Sequence, residues 1–167
     1  MVHREKGSQP EGEPQLPDKD LARIARRLHG RIVDILMGKQ GVAYFIESGD
    51  ARWDTYLSGD GFNYNISQFV RSPDLHSTEL STHILKYPHR NPETAGDWRE
   101  EELFLKTVVD KHTGEAKSGS VSCYETTRIS SHGIDIEETS VHFRTATAVE
   151  KAEEILRELA DFLSRSA

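Results

Sequence analysis

The stretch "EEELFLKTVVDKHTGEAKSGSVSCYE", residues 100–125, decides the fold. Apolar and polar residues alternate on both sides of His112, Thr113 and Gly114, which is the period of a β-strand on either side of a turn. Gly114 stands where a type I turn followed by a left-handed residue requires glycine. A three-residue loop sets Lys111 opposite Glu115, Leu105 opposite Val121 and Leu103 opposite Cys123. Apolar then meets apolar. A four-residue loop pairs leucines with serines and is rejected on that ground.

The next segment, "GIDIEETSVHFRT" at 133–145, returns through "SSHG" at 130–133. That loop aligns Ile129 with Ile134, Arg128 with Asp135 and Thr127 with Ile136. Continued unchanged, this register sets Glu125 against Glu138 and Val121 against His142. A bulge at Glu137–Glu138 repairs both, restoring Cys123 opposite Val141 and Val121 opposite Phe143.

Upstream, "VAYFIES" at 42–48 and "FNYNISQFV" at 62–70 read as strands separated by "GDARWDTYLSGDG". "STELSTHILKY" at 77–87 reads as another strand, and "PHRNPETAGD" at 88–97 as a loop. The two ends of the chain are helical. In "DKDLARIARRLHGRIVDILMGK" at 18–39, Leu21, Ile24, Ala25, Leu28, Ile32, Ile35 and Leu36 recur at steps of three and four. Asp18 caps the start and Gly38 ends it. In "TAVEKAEEILRELADFLSR" at 147–165, Thr147 and Glu150 have capping-box spacing. Val149, Ala152, Leu156, Leu159, Phe162 and Leu163 form its stripe. The reading is an α+β fold: an N-terminal helix, an antiparallel meander sheet of about six strands and a C-terminal helix, both helices on one face. Residues 1–16, polar and rich in Gly, Pro and Glu, read as a disordered tail ahead of a single domain at 17–167.

Bulk composition narrows the function. Charged residues at 29% and hydrophobic ones at 35% suit a globular chain, and a net charge of −7 disfavours a general attraction to nucleic acid. The single cysteine, Cys123, leaves no intrachain disulfide and no CxxC site. No apolar run reaches membrane-spanning length, and no apolar segment follows the basic N-terminal residues as in a secretory signal. A cytoplasmic location without membrane partners is expected.

No motif names an activity. There is no GxSxG, Walker loop or HExxH, so whether the protein is an enzyme stays open. His76, His83 and His89 lie within one short stretch, but His76 and His83 differ in strand parity. His83 and His89 would be roughly 20 Å apart along an extended chain. No metal site and no cofactor are expected. Arg23, Arg26, Arg27 and Arg31 read as a solvated helix surface.

The mixed sheet face is the candidate ligand surface: His142, Ser122, Tyr124, Arg128, Arg144 and Phe104, joined by Ser140 and Val108. Trp53, Tyr56 and Trp98, read as loop aromatics, are interface candidates. These features favour a binding module for a protein partner or a second copy of the chain. The alternative is a small-molecule binder or enzyme on the His142 face. A third reading is single-stranded nucleic acid held by Phe104, Tyr124, Arg128 and Arg144. Cys123 is expected in the core as a packing residue.

Overall fold

A computed structural model describes residues 2–5, 16–40, 51–59, 61–89, 96–131, 135–143 and 145–165. Helix α1 (Asp18–Gln40) is followed by strands β2 (Ala51–Ser58), β3 (Phe62–Arg71), β4 (Ser77–Pro88), β5 (Gly96–Asp110), β6 (Ala116–Ser131) and β7 (Asp135–Phe143). These six form an antiparallel meander in sequence order, and helix α2 (Thr145–Arg165) closes the fold. The α+β architecture is the one the sequence implies, with both helices packed on one face.

A further strand, β1 (Val2–Glu5), pairs parallel with β7 and makes the sheet seven-stranded. These four residues therefore depart from the expected tail. β7 would otherwise present an unpaired edge, and backbone pairing there needs no apolar payload. The segment at 42–48 read as a strand lies outside the described residues.

The helix-facing core joins Leu28, Ile32 and Leu36 of α1 and Leu156 and Leu159 of α2 to Ile66, Ile84, Leu103 and Cys123 of the sheet. Each such side chain, fully buried, contributes about 1.5–3 kcal/mol. α1 crosses β6 at Gly119, where an added Cβ would lie 2.7 Å from Ala25 Cβ and 3.1 Å from Ala22 Cα. α1 continues through Gly38 to Gln40, and α2 opens two residues before Thr147, at Thr145.

Several strand-level expectations change. "ARWDTYLS", read as part of a connector, is β2, paired along its length with β3. Glycines at 49, 59 and 61 mask the alternation of the eight residues between them. The β5–β6 hairpin places Leu103 against Cys123 and Leu105 against Val121 as expected, yet by a different route. Asp110 N donates to Glu115 O at 2.8 Å, so four residues form the loop. Asp110 Oδ1 accepts from His112 N and Thr113 N, and Gly114 has φ +72°. A register shift at Val108/Val109 leaves Lys117 as the extra residue and restores the apolar pairing.

The β6–β7 hairpin, by contrast, has no bulge. One register holds from Ser131↔Asp135 to Cys123↔Phe143. The expected bulge and the pairing of Cys123 with Val141 are both overturned. The observed offset sets Arg128 against Glu138, Tyr124 against His142 and Cys123 against Phe143. Charge meets charge and ring meets ring without any irregularity.

Under α2 the charges alternate along a ribbon. Glu158 pairs with Lys86 at 2.5 Å, Lys86 with Glu101 at 3.9 Å and Arg99 with Glu101 at 4.0 Å. Arg99 then reaches Glu125 at 3.4 Å, and Glu125 reaches Lys151 at 2.5 Å. α2 is thus held at two of its turns, seven residues apart, to three strands.

His29 is the buried titratable group of α1. It shares a 3.2 Å hydrogen bond with Thr82 Oγ1 of β4, and burial pushes its pKa down to about 4. Between its ordinary value of 6.5 and about 4, the unfolded chain takes up a proton that the native imidazole refuses. Its contribution is therefore complete above pH 6.5 and is lost as pH falls towards 4. The shift corresponds to about 3 kcal/mol at most. We expect His29→Asn, which keeps an acceptor near the Nδ1 position, to flatten the fall in melting temperature across that window. Parallel acid profiles for wild type and variant would show the opposite.

Candidate binding face

Alternation along each strand turns one set of residues away from both helices. Phe104, Ser122, Tyr124 and His142 lie as neighbours on that open face, while Arg128, on the same face, lies further along β6 against Glu138. Ser122 pairs with Phe104 across β5–β6, and Tyr124 with His142 across β6–β7. Arg144 lies outside the described residues.

The face carries a four-ring ladder across four strands. His83 stacks on Phe104 with centroids 4.3 Å apart, and Phe104 meets Tyr124 edge-on at 5.6 Å. Tyr124 stacks on His142 at 4.1 Å and 4°. Such contacts add about 0.5–1.5 kcal/mol each beyond the area they bury. His83 Nε2 is also hydrogen-bonded to Glu102 Oε2 at 2.8 Å. His142 is 9% exposed, so it is neither a solvated side chain nor an accessible acid or base. Phe104, at 40% exposed, is the ring the ladder leaves open.

Beside Phe104 lies an open trough of about 480 Å³, lined by Arg52, Ser67, Phe69, Ser81, His83 and Lys106 among others. Three serines, Ser67, Ser81 and Ser120, are among its lining residues. Its cations are already engaged. Arg52 pairs with Asp54 at 3.1 Å and lies 5.0 Å above the Phe69 ring. Lys106 pairs with Glu79 at 2.7 Å, and Arg71 reaches the same carboxylate at 3.6 Å. Arg128 is held between Glu138 at 3.2 Å and Glu100 at 3.3 Å.

The three interface aromatics are not on loops. Trp53 and Tyr56 belong to β2 and Trp98 to β5. Tyr56 is 60% exposed on the open face, whereas Trp98 is 7% exposed and donates from Nε1 to Glu100 at 2.7 Å. Trp98 is thus a packing residue with no interface area to offer. Its flanking loop signals, two prolines and a glycine, hid the start of β5.

The histidines of 76–90 go to separate places. His76 lies against His112 at 5.8 Å, His83 is in the ladder, and His89 Nε2 is 3.4 Å from Ser58 Oγ. His83 and His142 are kept apart by Phe104 and Tyr124. Among the described residues no three His, Cys, Asp or Glu side chains converge on a possible ion position. Cys123 is buried, its thiol donates to Ala148 O at 3.4 Å, and burial pushes its pKa up to about 12. A thiol so placed is not a nucleophile. No described helix is long and apolar enough to cross a membrane.

Sequence reasoning missed Phe69, Arg52, Ser67 and Ser81. The strand containing Phe69 was legible, and its parity would have put Phe69 beside Phe104 once the next register was known. Comparison with family models, with curated proteins and with solved structures found no match for this chain.

Because the His142 ring is covered by its stack, His142→Ala should lower stability by about 1–2 kcal/mol. His142→Phe, which keeps the ring, should recover at least half of that loss in denaturant unfolding. A silent alanine variant would show the stack to be inconsequential.

Proposed function

We propose that the protein is a binding module that takes a protein partner on the open face of its sheet, in the first instance a second copy of the chain. The observation that carries this reading is a half-exposed Phe104 beside a trough whose cations are already neutralised by neighbouring carboxylates. An aromatic anchor in such surroundings is desolvated without stranding a charge, as interface hot spots require. A chain of net charge −7 repels its own copies generally, and the internally paired face is where that repulsion is weakest.

The same pairing weighs against single-stranded nucleic acid. Arg128 already serves two carboxylates, and Tyr124 is covered by His142 on one ring face. The trough's volume of about 480 Å³ supports a second reading, an aromatic small molecule lying across Phe104.

Sedimentation velocity from micromolar to millimolar protein tests the first reading. Wild type should show a concentration-dependent dimer, and Phe104→Glu should remain monomeric with an unchanged melting temperature. A wild-type chain that stays monomeric throughout overturns self-association, and so does a Phe104→Glu variant that dimerises equally well.

A further inference from the structure

Four cations of α1 share one concave surface. Lys19, Arg23, Arg26 and Arg27 line a groove of about 590 Å³ whose other wall is Glu115–Ala116, just beyond the β5–β6 turn. Spacings of four, three and one residue put the four cations on adjoining strips of the helix, within about 12 Å of axis. Two of them are positioned by other elements. Arg27 is tied to Glu153 of α2 at 2.8 Å, and the Arg26 guanidinium lies against Gly114, 3.8 Å from where a Cβ would stand.

The groove differs electrically from the open face and from the ribbon beneath α2. The cations of the open face and of the ribbon beneath α2 are compensated by carboxylates. Among the described residues, no carboxylate forms an ion pair with Lys19, Arg23 or Arg26. Among the described residues, Glu115 is the one carboxylate lining the groove, and it stands on the far wall. An excess of positive charge is thus concentrated on a concave surface of a chain whose net charge is −7.

We infer that this groove binds a compact, multiply charged phosphate ligand of about nucleotide size. Guanidinium groups present paired donors that match the oxygens of a phosphate, and neighbouring ones suit linked phosphates better than single carboxylates. The volume lies in the range of small-ligand sites. Glu115 disfavours a ligand that is anionic along its whole length, which sets a phosphate group at one end ahead of an acidic peptide. The site is independent of the open sheet face.

The test is calorimetric titration of the full chain with inorganic pyrophosphate at low ionic strength. One saturable site is expected, with affinity falling as salt is added. Arg23→Gln/Arg26→Gln should bind about tenfold or more weakly while melting at the wild-type temperature, since both side chains are exposed. Should that variant fold poorly, Arg23→Lys/Arg26→Lys keeps the charge, removes the forked donors and should still weaken binding. Arg157→Gln, exposed on α2 and outside the groove lining, should leave pyrophosphate binding unchanged. Absence of saturable heat, or equal binding by either double variant, overturns the proposal. So does a glutamate-rich peptide that binds at the same arginines more tightly than pyrophosphate.

Discussion

The fold depends on how closely α1 can approach the sheet at Gly119. Ala22 and Ala25 meet bare backbone there, and any side chain on β6 would hold the helix away by the width of a methyl or more. Only at that separation do Leu28, Ile32 and Leu36 fill the space above Ile66, Ile84 and Leu103. A helix lifted by an ångström would lose packing along its whole buried stripe. The same approach brings Arg26 to the turn at Gly114 and His29 to Thr82. Both the basic groove and the buried imidazole are therefore secondary results of one small-residue contact.

Two kinds of electrostatics follow from that one-sided packing. Beneath α2, charges alternate in a ribbon that links the helix to three strands, partly screened from water. On the open face, pairs form across neighbouring strands and leave the aromatic ladder as its least polar feature. Among the described residues, three cations of α1 without an ion pair, Lys19, Arg23 and Arg26, line one groove. The molecule has one face suited to apolar contact and one groove suited to anions, with no shared residues.

Much of the architecture was legible in the sequence because it rests on periodicity. The helical stripes of α1 and α2 and the pairing of Leu103 with Cys123 are dictated by which residues can be buried together. What was not legible depended on turn chemistry. The β5–β6 loop has four residues and the register is restored by a bulge at Lys117, whereas a three-residue loop reaches the same apolar pairing in the sequence alone. In the β6–β7 hairpin, apolar matching was too weak a guide. Arg128–Glu138 and Tyr124–His142 decide the offset, and neither is a hydrophobic pair. The parity of His142 was right, so its face was right, but its burial came from the stack on Tyr124. The trough was illegible for a different reason: it needs five strands in register, including β2, whose alternation is hidden between glycines.

The meander has a consequence for how the chain can assemble. β2 to β7 each pair with the strand next in sequence, so these pairings close only short loops. Loop-closure entropy grows with the logarithm of loop length, and hairpin contacts incur the least of it. The contact of α1 with α2 is of another order, since Arg27 and Glu153 are 126 residues apart. Yet once the strands are joined, the finished sheet presents both helices to the same face within one core. The sheet acts as a template that converts an encounter between the two ends of the core into a local one.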